Sequence, residues 1–219
     1  YEGIQKITLV DLDKEMTHLG ANHPKLIQLN HGAMQDERVE VVNLDAYKFI
    51  ENSSELYQVV IIDLPDPNDA SLGKLYSKEF YQLLRKRMAY GGVAVTQSTS
   101  PYFAPEAFWC IHQTMESIFP YTLPYHTYVP SFGEWGFNLS TYLPQHEDID
   151  SLYQAKLPLK VGDYLKQHET ELSLRYLTPE LIPSLFTFDL DMNEMEVKIN
   201  QLEDQKLIQY YENSWDNWR

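Results

Sequence analysis

Three carboxylates close one apolar run. Residues 59–70 read VVIIDLPDPNDA, a β-branched stretch that ends in Asp63, Asp66 and Asp69, with Pro65 and Pro67 between them. Proline fixes φ and removes a backbone donor, so this turn cannot continue as a helix and holds its acids in restricted geometry. Asp63 and Asp66 have the spacing to bind a metal, to work as general acid and base, or to grip a cation with two amino ends. An exposed acidic loop is the other way to read Asp-Pro-Asn-Asp. The metal is the weakest of these, because the seven histidines are scattered and none has ligand spacing beside the acids.

Two further acids sit at equivalent places. KITLVDLD (residues 6–13) reads as a strand ending in Asp11 and Asp13, and RVEVVNLD (38–45) as a strand followed by Asp45. In open α/β sheets, ligands gather outside the carboxyl ends of the strands. An acid there can accept both hydroxyls of a ribose, the role open to Asp11, or the amino group of an adenine, the role open to Asp45. Asp is also a strong helix N-cap. Asp13 reads as a cap, whereas for Asp11 and Asp45 both readings stand.

The elements that must position these acids alternate. After the first strand, KEMTHLGA starts a helix. The second strand turns at Leu44 to Ala46 into another helix. Residues 57–67 hold a nearly all-apolar strand, the pattern of a parallel strand covered on both faces. Residues 77–92 read as a helix with Phe80, Leu83, Leu84 and Met88 on one face, Ser77 as cap and Gly91-Gly92 as stop. VAVTQSTSP (93–101) is the next strand, and PEAFWCIHQTMESIF a helix with Pro105 in its first turn. The alternation ends at residues 125–143, two strands around a Gly-containing turn, expected as an antiparallel hairpin at the sheet edge. Beyond lies irregular helical sequence, closing on MEVKINQLEDQKLIQYYENSWDNW, which reads as helix with aromatic faces. The fold class is α/β, a Rossmann-like doubly wound sheet. Its catalytic core spans residues 1–147, and a mostly helical extension spans 148–219.

Composition narrows the function. The 219 residues are 43% hydrophobic and carry a formal charge of −15. The first figure supplies a sizeable core. The second argues against a nucleic-acid partner, which needs a basic face; it suits cationic ligands, although on composition alone a plain acidic soluble surface is the preferred reading. The single cysteine, Cys110, lies in an apolar helical pattern and reads as a core residue in a reducing compartment. No apolar stretch reaches the ~18 to 20 residues that span a bilayer. The chain starts at Tyr1 directly in a strand pattern, as though cut from something longer.

Taken in order, VDLD (10–13), LDA (44–46), IIDLPDP (61–67), LYSKEFYQLLRKRMAYGGVAVTQSTSPY (75–102) and YVPSFGEWGF (128–137) resemble the polyamine aminopropyltransferases, the family of spermidine synthase. The pieces cover most of residues 4–142. The tail, with YLTPELIPSLF and YYENSW, is similar to bacterial members that carry a membrane-spanning region ahead of the catalytic domain. The resemblance implies a class I methyltransferase-type sheet and assigns roles. Asp11, with Leu12, takes the nucleoside ribose. Asp45 and Ala46 form the adenine-contacting turn. Asp63 is the catalytic acid, and Asp66 holds the acceptor amine. Gln97 stands at a strand end near the acceptor. Phe132 and Trp135 wall the acceptor channel, although packing in the hairpin would equally account for both rings. The implied co-substrate is decarboxylated S-adenosylmethionine and the acceptor is putrescine or another small polyamine. No metal or other cofactor is required. The expected assembly is a homodimer, in the cytoplasm or on the cytoplasmic face of the inner membrane.

The resemblance also carries a departure. The family's glycine-rich loop, with the first strand before it, belongs ahead of Tyr1, so the expectation is a sheet lacking its first strand. Two rivals remain. One is an S-adenosylmethionine-dependent methyltransferase on the same fold, since fold does not fix function. Amine-directed methyltransferases often carry an Asn/Asp-Pro-Pro-aromatic turn, where this chain has Asp63-Leu64-Pro65-Asp66-Pro67. The other is a non-catalytic polyamine- or nucleoside-binding module.

Overall fold

The computed structural model describes residues 3–143, 147–172 and 174–216. The chain divides into two compact units, Tyr1–Ser54 and Glu55–Arg219.

The first unit holds strand β1 (Ile7–Val10), helices α1 (Lys14–Asn22) and α2 (Pro24–Leu29), strand β2 (Val39–Val42) and helix α3 (Ala46–Asn52). β1 and β2 pair in parallel, Ile7 opposite Val39 and Val10 opposite Val42. The two helices between them supply the crossover that a parallel pair needs. Asp13 caps α1, its Oδ1 accepting from the amides of Glu15 and Met16. The buried Thr17 ties α1 to the end of β2: Asn43 Nδ2 donates to Thr17 Oγ1 at 2.9 Å and to the Asp11 carbonyl at 3.2 Å.

The second unit is built on a four-stranded sheet of order β3-β4-β6-β5: β3 (Tyr57–Ile62), β4 (Met88–Gln97), β5 (Tyr121–Val129) and β6 (Gly133–Thr141). β3 and β4 are parallel, linked through α4 (Ala70–Gly73) and α5 (Lys78–Arg85). α6 (Pro105–Glu116) leads into the hairpin β5–β6, which is antiparallel and puts β5 at the edge, as its sequence predicts. The remaining helices are α7 (Glu147–Gln167), α8 (Glu169–Leu172), α9 (Leu181–Leu185) and α10 (Lys206–Asp216). α6 is the centre of the core. Ala107, Cys110 and Ile111 pack with Tyr76, Ala104, Leu207 and Tyr211, while Trp109 stacks edge-on against Phe108 and His112. Cys110 is buried, and burial pushes its thiol up to about 12, so it acts as a packing residue. Among the described residues no helix is long and apolar enough to cross a membrane.

Three expectations about the elements need correction. β3 is an edge strand of its sheet, and Val59 and Ile61 are 65% and 74% exposed rather than covered on both faces. The helix expected over 77–92 ends at Arg85. Its last turn tightens as the amides of Lys86 and Arg87 donate to the carbonyls of Leu83 and Leu84, and Met88 already pairs with Tyr57. Gly91 and Gly92 therefore lie inside β4. Gly91 takes φ +75° and donates to the Tyr142 carbonyl, while a Cβ on Gly92 would press on the Ala89 carbonyl at 2.8 Å. The closing helix begins only at Lys206. In the segment before it, three carbonyls go to side chains of α6. Trp109 Nε1 donates to Met192 O, Gln113 Nε2 to Met195 O and Cys110 Sγ to Lys198 O.

Candidate functional site

The organising residue is Gln97, the last residue of β4, 5% exposed. Its Oε1 accepts from the Thr99 amide at 2.7 Å and from Trp135 Nε1 at 3.1 Å. Both partners can only donate, which fixes the orientation of the amide. Its Nε2 then spreads two hydrogens over three acceptors: Leu64 O at 2.7 Å, Tyr76 Oη at 3.1 Å and Asp66 Oδ1 at 3.2 Å. Thr99 is held at φ +59°, a region that β-branched residues rarely adopt. The strain is stabilised by exchange with the hairpin: Ser98 N donates to Gly136 O at 2.8 Å and Gly136 N to Thr99 O at 2.7 Å. Gly136 has no room for a side chain, since a Cβ would run into the Phe108 ring and stand 3.0 Å from Pro101 Cδ.

The acidic turn is gripped from the core side. Tyr76, fully buried, shares its hydroxyl hydrogen between the carbonyls of Leu64 and Pro65 at 3.2 and 3.1 Å. Burial first, then the neighbouring Tyr81 and the carboxylates of Asp66 and Asp63, push its phenol well above the ordinary value. Tyr76 therefore stays a donor, and both carboxylates lie close enough for their charge to be felt there. Asp66 is half-buried, and its Oδ2 accepts from Tyr211 Oη at 2.8 Å. Asp63, at the end of β3, is exposed. Asp69 caps α4, its Oδ1 accepting from Ser71 and Leu72, and the Ser71 hydroxyl first among these holds its carboxyl below the usual range. Asp69 thus serves the turn itself.

Phe132 and Trp135 form a pair with ring centroids 5.0 Å apart. Phe132 is 58% exposed, so core packing does not account for it, while Trp135 is half-buried with its indole nitrogen on Gln97. Of the acceptor-side residues singled out in the sequence, Asp66, Gln97, Phe132 and Trp135 are joined in one cluster, with Asp63 at the head of the same turn. A carboxylate and an aromatic pair tied to one amide are groups that an alkyl ammonium can meet.

The residues singled out for the nucleoside lie in the first unit, at the ends of adjacent parallel strands. Asp11 accepts from its neighbour Asp13 N at 2.7 Å, leaving its second oxygen outside that bond. Asp45 is the N-cap of α3, accepting from Lys48 N at 3.1 Å, and Ala46 is the first residue of that helix. Leu12 is 74% exposed. Asn43, Tyr76 and Tyr211 are the partners that sequence reading missed. Tyr76 carries little sequence signal, standing in the mixed segment ASLGKLYS before α5. Tyr211 carries none, because its partner is 145 residues away. Among the described residues no cluster of three or more His, Cys, Asp or Glu could hold a metal ion.

Comparison with known proteins gives the family. Residues 1–150 match the model of the spermine/spermidine synthase domain. The polyamine aminopropyltransferase of Oceanobacillus iheyensis is 40% identical over 222 aligned residues, covering 100% of this chain and 40% of that protein. The polyamine aminopropyltransferase of Leptospira interrogans is 40% identical over 216, covering 99% of this chain and 40% of its own length. The chain therefore spans about two-fifths of these relatives. In fold it matches the spermidine synthase from Thermotoga maritima, with TM-score 0.67 at 20% identity, covering 86% of this chain and 59% of that one. A spermidine synthase bound to the transition-state analogue AdoDATO gives TM-score 0.68 at 21% identity, covering 86% and 60%. The chain belongs to the spermine/spermidine synthase family.

Proposed function

We propose that this chain carries the aminopropyl-transfer chemistry of a polyamine aminopropyltransferase, moving an aminopropyl group from decarboxylated S-adenosylmethionine to a diamine such as putrescine. The observation that carries the reading is the Asp66 carboxylate, held by Gln97 and Tyr211 three residues after Asp63, in a chain of this family. The accompanying fold reading is a methyltransferase-type doubly wound sheet, with residues 1–147 as transferase core and 148–219 as extension. The parallel pairs β1–β2 and β3–β4, each with helices in the connection, support it.

The reaction is a displacement at carbon. The free amine forms a new C–N bond at the carbon beside the sulfonium, the C–S bond breaks with its electron pair going to sulfur, and methylthioadenosine leaves. The sulfonium is already a good leaving group. The obstacle is the nucleophile, because an alkyl ammonium has a pKa near ~10, as lysine does, and is inert while protonated. Asp63 accepts that proton as general base, and its exposure at the strand end leaves it open to the incoming amine. Asp66 fixes the amine by a charge-assisted hydrogen bond. Asp11 and Leu12, with Asp45 and Ala46, serve the nucleoside end of the donor. The net charge of −15 favours two cationic substrates.

The test uses the protein at its full natural length, offered S-adenosylmethionine or its decarboxylated form with a panel of diamines, with products followed by mass. Methylthioadenosine together with a polyamine one aminopropyl unit heavier is the expected result. S-adenosylhomocysteine with a methylated product would make it a methyltransferase. In Asp63→Asn, turnover is expected to fall about a thousandfold, while amine binding by calorimetry persists. Retained turnover would remove Asp63 as base.

A further inference from the structure

The match to the synthase domain ends at residue 150, yet one oxygen of Asp66 is held by a residue far beyond it. Other acids on strand-to-helix turns of this chain bond to the backbone of their own turn: Asp13 to Glu15 and Met16, Asp45 to Lys48, Asp69 to Ser71 and Leu72. Asp66 does the opposite. Its side-chain bonds run to Gln97, 31 residues away, and to Tyr211, 145 away. No capping requirement explains them.

The phenol that reaches Asp66 is itself fixed. Leu207 and Tyr211 share one face of α10 at helical spacing and are buried in the cluster with Tyr76 and α6. Ahead of α10, the fully buried Asn200 works as a pin. Its amide donates to Thr114 Oγ1 at 2.8 Å, its Nδ2 to Gly73 O at 2.9 Å, and its Oδ1 accepts from Leu207 N at 3.3 Å. Its carbonyl accepts from Lys78 N at 2.9 Å. Gly73 lets α10 approach closely, because a Cβ there would stand 3.1 Å from Ile208. The hydroxyl of Tyr211 is thus delivered to Asp66 by a packed helix rather than by a mobile tail.

We infer that Tyr211 is a positioning residue for the amine acceptor, and that through it the C-terminal segment is part of the acceptor site. An ionised carboxylate offers about four lone-pair positions. Gln97 takes one on Oδ1 and Tyr211 one on Oδ2, each oxygen keeping capacity for an incoming ammonium in a plane already set. Preorganisation of this kind lowers the ordering cost of binding. The inference rests on the amine-holding role proposed for Asp66.

The experiment compares three single variants of the full-length protein in steady-state aminopropyl transfer. Tyr211→Phe keeps the ring and its packing and deletes only the hydroxyl. It is expected to raise KM for the diamine about tenfold, the size of effect of one hydrogen bond to a charged group, with KM for decarboxylated S-adenosylmethionine and the melting temperature nearly unchanged. Leu207→Ala disturbs the packing of the same helix without touching Asp66 and is expected to lower the melting temperature with a smaller rise in diamine KM. Asp66→Asn is expected to raise diamine KM more than Tyr211→Phe does. An unchanged diamine KM in Tyr211→Phe, beside a raised one in Asp66→Asn, overturns the inference and leaves the reading of Asp66 standing. An equal rise in Leu207→Ala and Tyr211→Phe also overturns it, since packing alone would then account for the effect. An unchanged KM in Asp66→Asn overturns the reading and the inference together.

Discussion

The acids of the first unit and Asp66 of the second form their bonds in opposite ways. Asp11, Asp13 and Asp45 spend their described side-chain bonds on amides two or three residues away, at the mouths of α1 and α3. Asp66 and Gln97 instead draw partners from β3's turn, the buried segment before α5, the hairpin and α10. The core follows the same division. The second unit buries most of the large apolar side chains, whereas the first leaves Leu12, Met16 and Leu29 more than half exposed. A local cap can form wherever its own helix forms. A network of five elements forms only when all of them pack, so its side chains are set to tighter tolerance and depend on the whole unit.

That contrast breaks most visibly at Gly136. Gly136→Ala drives a Cβ into the Phe108 ring and loosens the Thr99 exchange, so it should cost about 4 kcal/mol in denaturant unfolding. A loss below about 1 kcal/mol would mean that the hairpin and α6 are not close-packed there. Gln97→Leu comes next. It leaves Leu64 O, Thr99 N and the Trp135 indole without their partner and should cost about 3 kcal/mol, with fluorescence of Trp135 shifting as its nitrogen loses the bond.

A pH scan sharpens the comparison. His112 is buried under Trp109, and its Nδ1 donates to Asn138 Oδ1 at 2.7 Å. Asn138 Nδ2 donates to Ser98 Oγ, which donates to Thr96 O. Burial, against the opposing charges of Glu116 and Glu194, pulls its imidazole below the usual value. The folded state therefore resists protonation that the unfolded chain accepts. Stability is full above the unfolded value, near ~6.5, and falls as pH drops from there toward the depressed folded value. Melting curves between about pH 7.5 and 5 should show this fall, and His112→Gln should flatten it. An identical slope in the variant would place the sensitivity elsewhere. The smallest effect belongs to the first unit. Asp13→Ala should cost about 1 kcal/mol, read as lost hydrogen-exchange protection at the start of α1, with α6 amides unaffected.

Much of this was legible in the residues. The capping roles of Asp13 and Ser77, Pro105 in the first turn of α6 and the terminal hairpin follow from local chemistry, and each forms as read. The ordered motifs also singled out Asp66, Gln97, Phe132 and Trp135, which the structure brings into one cluster. Apart from β3, whose apolar run could not show that it lies at the edge of its sheet, the misreadings involve competition between local pattern and distant partners. The 77–92 stretch carries a helical face as far as Met88, but β3 pairs with Met88, and Gly91 and Gly92 exchange bonds with Tyr142. Residues before Lys206 have helical composition, but side chains of α6 take their carbonyls.

The sequence by itself determined which residues carry charge, where prolines stop a helix, and which acids stand at strand ends, because these depend on chemistry within a few positions. Only the tertiary structure decided that Gln97 faces both Asp66 and Trp135, that Thr99 is held in a strained turn by Gly136, and that Tyr211 reaches Asp66 across 145 residues. Those contacts depend on which helix face lies over which strand, and that is fixed only when the apolar surfaces of α6, α10 and the sheet are buried together.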